Sequence, residues 1–266
     1  MTALGKRNGT PVILAFGGFD PTGGAGVLMD SRAAAAAGVH ACAVVSCLTV
    51  QTTASFSRFA SVPRDVLDES LAAAAKSFPL RAVKVGMVGT RAAAEAILTF
   101  VAAHRDLPLV LDPVLRSSSG APLLSSSALP AYRQLLRRAT VLTPNLPEAE
   151  KLLDRPIVSF ADAAEAAGEL SGLTGASVVI KGGHFPWRGR RGTDIVFSDG
   201  RTTLLRPIGA RRGDPHGTGC ALAAVIAARI AAGDSVVSAV LAAKSLLSKL
   251  IAGGFRSAEG RPTLFP

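Results

Sequence analysis

From Pro11 onward the chain alternates between short apolar runs and longer Ala-rich stretches, with glycine or a polar turn between them. The short runs are Val12 to Phe16, Ala43 to Leu48, Ala82 to Val85, Leu109 to Leu111, Thr140 to Leu142 and Val178 to Ile180. Apolar at consecutive positions, they predict strands covered on both faces. Helices are predicted over Gly24 to Ala37, Asp65 to Ser77, Arg91 to His104, Ser126 to Arg138, Pro147 to Leu153, Asp162 to Leu170, Thr218 to Ala232 and Ser235 to Ile251. Covered strands separated by helices imply a largely parallel sheet with helices on both sides. Thr193 to Ser198 and Thr202 to Arg206, joined by Asp199-Gly200, predict a hairpin that continues the sheet antiparallel at one edge. No linker or repeat interrupts the pattern, so residues 1–266 are expected to form one α/β domain, ordered from about 11 to about 252.

Composition narrows the function classes. Hydrophobic content of 48% against 18% charged residues describes a well-buried globular chain. The segment before Pro11 lacks the apolar region of a signal peptide, and no apolar run is long enough to span a membrane, so a cytoplasmic address is expected. Cys42, Cys47 and Cys220 are odd in number and lack Cys-x-x-Cys spacing, which favours reduced thiols over a disulfide or zinc framework. The net charge of +10 raises nucleic acid as a partner. Its arginines are dispersed, and aromatic residues make up only 5%, without the basic and aromatic interleaving that stacks bases, so no nucleic-acid partner is expected.

Candidate chemistry begins at His216-Gly217-Thr218-Gly219-Cys220, which opens the apolar stretch Ala221 to Ala232. A helix N-terminus entered through two glycines presents unpaired N–H groups and the positive end of the macrodipole, which suits an anion. Cys220 falls in the first turn, where the dipole favours the thiolate. Alternatively, the glycines merely permit close packing and Cys220 is a small buried residue.

The other strand ends carry similar punctuation. Gly17-Gly18-Phe19-Asp20-Pro21-Thr22-Gly23-Gly24-Ala25-Gly26 holds five glycines, matches neither common nucleotide fingerprint, and leads into a helix bearing Asp30. Gln51-Thr52-Thr53, Gly86-Met87-Val88-Gly89, Asp112-Pro113-Val114, Thr143-Pro144-Asn145-Leu146-Pro147-Glu148 and Lys181-Gly182-Gly183-His184 follow later strands. Ligands of such sheets bind at the carboxyl ends of the strands, so six polar or glycine-rich ends describe a site. Read alone, Asn145 to Glu148 is equally a helix entry with Glu in a favourable first turn.

In this order and spacing, FDPTGGAG with Asp30, KVGM, LTPNLPEAE, KGGH and HGTGC resemble the ribokinase-like superfamily, and within it the hydroxymethylpyrimidine/phosphomethylpyrimidine kinases of thiamine biosynthesis. The resemblance runs from about Val12 to about Ile251, and Cys220 stands where sugar and nucleoside kinases have Asp. It implies a three-layer αβα fold without a separate lid domain, ATP as co-substrate, Mg²⁺ as cofactor and a homodimer. It also implies roles. Gly217, Thr218 and Gly219 would form the anion hole for the transferring phosphate, and Cys220 would be the base. Gln51, Asp30, Gly18, Met87 and Val114 would bind the pyrimidine substrate. Lys181, Asn145 and His216 would lie on the nucleotide side, and Glu148 and Asp112 would hold the metal.

Two departures stand out. Ser118 occupies the place of a family lysine, and Asp214-Pro215 precedes His216 where Asn-Thr is usual. With the chain ending soon after its last helix, no fused thiamine-phosphate synthase domain is expected. The reading of function is thus phosphorylation of 4-amino-5-hydroxymethyl-2-methylpyrimidine, and of its monophosphate. Pyridoxal kinase is the rival of the same class, and a non-catalytic pyrimidine or nucleotide sensor the rival of another. An RNA-binding protein, a third rival, would show steep salt dependence.

Overall fold

The computed structural model describes residues 9–117, 120–208 and 215–265. Among these described residues nine strands and eight α-helices follow one another: β1 (Val12–Phe19), α1 (Gly26–Ala36), β2 (His40–Gln51), β3 (Phe56–Ser61), α2 (Arg64–Ser77), β4 (Leu80–Val85), α3 (Arg91–Ala103), β5 (Leu109–Leu111), α4 (Leu129–Leu136), β6 (Val141–Leu142), α5 (Leu146–Leu153), α6 (Phe160–Thr174), β7 (Ser177–Ile180), β8 (Asp194–Ser198), β9 (Arg201–Leu205), α7 (Thr218–Ala231) and α8 (Val236–Ala252). All strands join one sheet in the order β3-β2-β1-β4-β5-β6-β7-β8-β9. The stretch from β2 to β7 is parallel. The β8–β9 hairpin closes one edge antiparallel, its turn held by Asp199 and Gly200 at φ 52° and 71°. This is the αβα architecture expected from the pattern.

The strand alternation sorts the core into two layers. Leu14, Phe16, Val83, Val85, Leu109 and Leu111 pack toward α2 to α6. Ile13, Ala82, Val110, Val141, Val179 and Val196 pack with α1, α7 and α8 on the opposite face. Burial on both faces explains the unbroken apolar runs. One position breaks the rule. Lys84, on the face toward α1 and α7, is 1% exposed.

The structure corrects three expectations. A second antiparallel strand, β3, pairs with β2 at the other edge, so Gln51 ends a strand that turns back in a hairpin. The 126–138 helix is split into a 3-10 turn at Ser126–Ala128 and α4. Order does not end near 252: Phe255 to Leu264 fold back as a small hairpin whose Leu264 and Thr263 are buried. No helix among the described residues is long and apolar enough to cross a membrane. Ser118, the residues before Val12 up to Asn8, and Asp214 with Arg211 and Arg212 lie outside the described residues.

Candidate active site

From β1 the chain runs to β2 on one side, then crosses to β4 on the other, so the carboxyl ends of β1 and β4 diverge into a crevice. A cleft of about 810 Å³ opens there and extends along the ends of β5, β6 and β7 and beside α7 and α8. Of the residues expected at a site, Gly18, Gln51, Met87, Asp112, Val114, Asn145, Glu148, Lys181, His216, Gly217, Thr218, Gly219 and Cys220 all line it. Asp30 does not.

One end of the cleft is lined largely by apolar side chains. A Cβ on Gly18 would stand 3.0 Å from the Sδ of Met87, so this glycine lets β1 approach the methionine without displacing it. Met87 packs with Cys47 and Leu123 beneath Phe56, Phe59 and Val114, and its carbonyl accepts a 2.6 Å hydrogen bond from Ser46. Gln51, half-buried at the end of β2, supplies an amide donor and acceptor at the rim.

Beneath this end lies a buried ion pair. The Lys84 ammonium is 2.8 Å from both oxygens of Asp30, which is fully enclosed on α1. A Cβ at Gly86 would meet that Nζ at 2.7 Å, so this glycine makes room for the ammonium. Asp30 was expected to touch substrate; instead it holds Lys84, which does reach the cleft. Burial pushes the Asp30 carboxyl up to about 6, with Lys84 pulling it back. For Lys84, burial opposes the charge, yet the attraction of Asp30, Cys220 and Asp112 outweighs it and the ammonium titrates at about 12.

Cys220 also corrects an expectation. Burial pushes its thiol up to about 11, overriding Lys84 and the Gly26 N–H, which favour the thiolate. The first turn of α7 therefore presents a thiol at neutral pH. Gly217, at φ 84°, starts that turn in the left-handed region, and a Cβ there would collide with the Gly24 carbonyl oxygen. The amides of α7 thus open toward the cleft because two glycine-rich loops interlock.

Asp20, unremarked among the glycines, ties these loops together. Its Oδ1 accepts from Thr22 N and Oγ1 at 2.9 and 2.8 Å, while Oδ2 accepts from Ala25 N at 2.9 Å and pairs with His216 Nε2 at 3.1 Å. Burial alone would raise its carboxyl, but the His216 and Thr22 hydrogen bonds bring it below the ordinary value. His216 is therefore a loop anchor paired with Asp20.

At the other end, Lys181 lies 2.6 Å from Asp112 Oδ1 and 3.6 Å from Glu148 Oε2. A Cβ on Gly219 would stand 3.3 Å from the Lys181 Nζ, which places this cation directly against the α7 N-terminus. Asn145 caps α5: its Oδ1 accepts from Glu148 N at 2.9 Å, and Glu148 Oε2 accepts from Asn145 N at 2.8 Å. The helix-entry reading of this motif is realised, while both residues still line the cleft. Burial pushes the Glu148 carboxyl up to about 7, Lys181 opposing and Asp112 reinforcing the rise. Among the described residues no three His, Cys, Asp or Glu side chains cluster as a metal cage. Two enclosed carboxylates sharing one lysine do fit a magnesium ion that keeps waters and phosphate oxygens in its remaining positions.

A further pair, Lys244 on α8 and Asp194 at the start of β8, escaped the sequence reading. Lys244 Nζ donates to Asp194 Oδ2 at 2.6 Å and to Gly192 O at 2.9 Å, and Asp194 Oδ1 accepts from Gly182 N at 2.7 Å. The pair fixes the backbone that follows Lys181.

A family model described as phosphomethylpyrimidine kinase matches residues 20–263. The chain is 36% identical to the hydroxymethylpyrimidine/phosphomethylpyrimidine kinase of Mycobacterium tuberculosis, over 96% of this chain and 94% of that one. It is 34% identical, over 94% of its length, to the thiamine biosynthesis multifunctional protein ThiED of Corynebacterium efficiens, of which it spans 34%. Among solved structures, phosphomethylpyrimidine kinase from Clostridium difficile superposes with a TM-score of 0.78 at 26% identity, covering 91% of this chain and 99% of that one. The pyridoxal kinase of Staphylococcus aureus in complex with AMP-PCP and pyridoxal superposes with a TM-score of 0.85 at 25% identity, covering 97% and 93%.

Proposed function

The chain belongs to the phosphomethylpyrimidine kinase family, and from that premise we propose that it transfers the γ-phosphate of ATP to the hydroxymethyl oxygen of 4-amino-5-hydroxymethyl-2-methylpyrimidine, then phosphorylates the monophosphate to the diphosphate. The observation that carries this reading is one cleft with an apolar end beside Gln51, a lysine with two carboxylates at the other end, and the N-terminus of α7 among its lining.

In this reading the pyrimidine lies against Met87 and Val114 with its edge at Gln51, and its hydroxymethyl group points toward Cys220. The N–H groups from Gly217 to Gly219 and the Lys181 ammonium meet the γ-phosphate oxygens, where positioned donors and cations supply most of the rate. The bond from the hydroxymethyl oxygen to γ-phosphorus forms as the β–γ bridging bond breaks, and ADP leaves with the bridging oxygen. Asp112 and Glu148 would hold Mg²⁺, which when bound neutralises phosphate charge. Cys220, a thiol at rest, orients the acceptor hydroxyl, whose proton leaves late in a loose transition state.

The test is ADP release with Mg-ATP and, in parallel, the pyrimidine alcohol, its monophosphate, pyridoxal or no acceptor. Turnover on both pyrimidines with little on pyridoxal supports the proposal, and preference for pyridoxal replaces it. The pyridoxal arm is warranted by the likeness to the S. aureus enzyme. Cys220→Ala is expected to lower kcat by roughly 10- to 100-fold, at or below the usual span for a general base, with KM for ATP little changed. If Cys220 must ionise to act, wild-type kcat will climb steadily with pH up to about 10; an orienting thiol gives a flat profile there.

A further inference from the structure

We infer that Arg261, brought to the cleft by the C-terminal hairpin, recognises a phosphate already present on the acceptor and so sets the enzyme's capacity for the second transfer. This inference rests on the proposed function, since it places the acceptor at the Gln51 end.

The hairpin is a built element. After α8, Thr263 N donates to Phe255 O at 2.8 Å, Ser257 N to Arg261 O at 2.9 Å and Gly260 N to Ser257 O at 2.9 Å, with Arg256 and Pro262 bridged antiparallel. A Cβ at Gly254 would collide with the Thr263 carbonyl, so the chain can double back here only through glycine. Buried Leu264 anchors the returning strand.

Its tip is fastened on two sides. Thr52 Oγ1 donates to Glu259 Oε1 at 2.8 Å, Thr53 Oγ1 donates to Glu259 Oε2 at 2.5 Å, and the Thr53 and Ser257 hydroxyls are 2.8 Å apart. These contacts grip the turn directly after Gln51. Pro262 O accepts from His216 N at 3.3 Å, just before the anion-binding turn. Arg261 is thereby set between the acceptor end of the cleft and the N-terminus of α7, and it lines the cleft.

Charge pairing narrows the cations on the cleft wall to two arginines. Lys84, Lys181 and Lys244 are matched to Asp30, Asp112 and Asp194, and His216 to Asp20. Arg116, also on the cleft wall, donates to the Gly120 carbonyl at 2.8 Å. Among the described residues Arg261 has no carboxylate partner, and only its backbone is engaged, its N–H by Ser257 Oγ and its carbonyl by Ser257 N. A guanidinium offers parallel N–H donors that match two phosphate oxygens. The alcohol acceptor has no such group; its monophosphate does.

The experiment compares wild type, Arg261→Gln and Arg261→Lys in steady-state turnover with the alcohol and with the monophosphate, and by calorimetric titration of the monophosphate into the ATP-free protein. Arg261 is exposed, so the folded state is expected to survive, checked by thermal melting. R261Q is expected to raise KM and Kd for the monophosphate by roughly 10- to 100-fold, the span of a lost charge-assisted hydrogen bond. KM for the alcohol and for ATP should stay within about twofold, and R261K should fall between. An equal loss on ATP would assign Arg261 to the nucleotide and overturn the inference, as would an unchanged monophosphate constant or a wild type inert toward the monophosphate. Wild type inert toward the alcohol as well would instead refute the proposed function.

Discussion

Gly217→Ala is expected to cut kcat by about 100-fold or more, the scale of a displaced oxyanion-type donor, while lowering the melting temperature by only a few degrees. Two constraints act at once. The residue holds φ 84°, where a Cβ costs roughly 1–2 kcal/mol, and that Cβ would run into the Gly24 carbonyl oxygen. The Gly24 side of the contact is tightly built as well: a Cβ there would stand 2.9 Å from the ring of His216, which Asp20 holds. The first turn of α7 must therefore shift, and with it the amides that face the transferring phosphate. Displacements near 1 Å at such donors cost on the order of 100-fold. Gly219→Ala provides the contrast: its Cβ would meet the Lys181 Nζ at 3.3 Å and Asp112 Oδ2 at 3.7 Å, side-chain ends rather than backbone, so a smaller loss is expected. A Gly217→Ala enzyme with kcat within about threefold of wild type would detach this turn from catalysis.

The same contrast between backbone and side chain governs what the sequence could disclose. Strands covered on both faces announce themselves as unbroken apolar runs, and each such run falls on a strand of the sheet, that at Thr140 to Leu142 beginning one residue before β6. β3 stayed hidden because Phe56-Ser57-Arg58-Phe59-Ala60-Ser61 is short, polar and largely exposed at an edge, where nothing demands continuous hydrophobicity. The C-terminal hairpin hid for a like reason: hydrogen bonds to Thr52 and Thr53 hold its tip, and only Leu264 signals burial. Glycine-rich strand ends were legible because close approach leaves a residue type behind. Charges buried as pairs were not. Lys84 in Arg-Ala-Val-Lys-Val alternates like a solvent-facing strand residue and becomes anomalous only once both faces of β4 are known to be covered. Its partner is 54 positions away. For Cys220 the helix start argued for a thiolate, while the enclosure that pushes the thiol up to about 11 comes from residues distant in the chain.

That buried pair carries the second large effect. Lys84→Met is expected to destabilise the fold by about 3–5 kcal/mol, the usual consequence of stranding one charge of an enclosed pair. Asp30 has no access to water, and Lys84 is the cation that holds it. The loss should depend on pH with a definite sign. Burial already raises the Asp30 carboxyl from 3.8 to about 6, and removing the lysine removes the influence that restrains it. A carboxyl whose folded pKa lies above its unfolded value binds a proton more tightly in the folded state, so its ionisation costs stability as pH rises through the folded pKa. The deficit of K84M should therefore be largest near pH 8 and shrink as pH falls toward 6, levelling off below, where Asp30 takes its proton in both proteins, which urea unfolding at pH 8 and pH 6 would read. A deficit that is constant or grows in acid would mean Asp30 is not left charged, and the pairing argument would fail. Asp30→Asn in the Lys84→Met background should recover much of the stability, since the amide keeps the shape without the charge. Activity need not return with it. Lys84 reaches the cleft, and Asp30 does not, so a refolded double variant that stays inactive would show that the lysine serves the cleft apart from its role in the core.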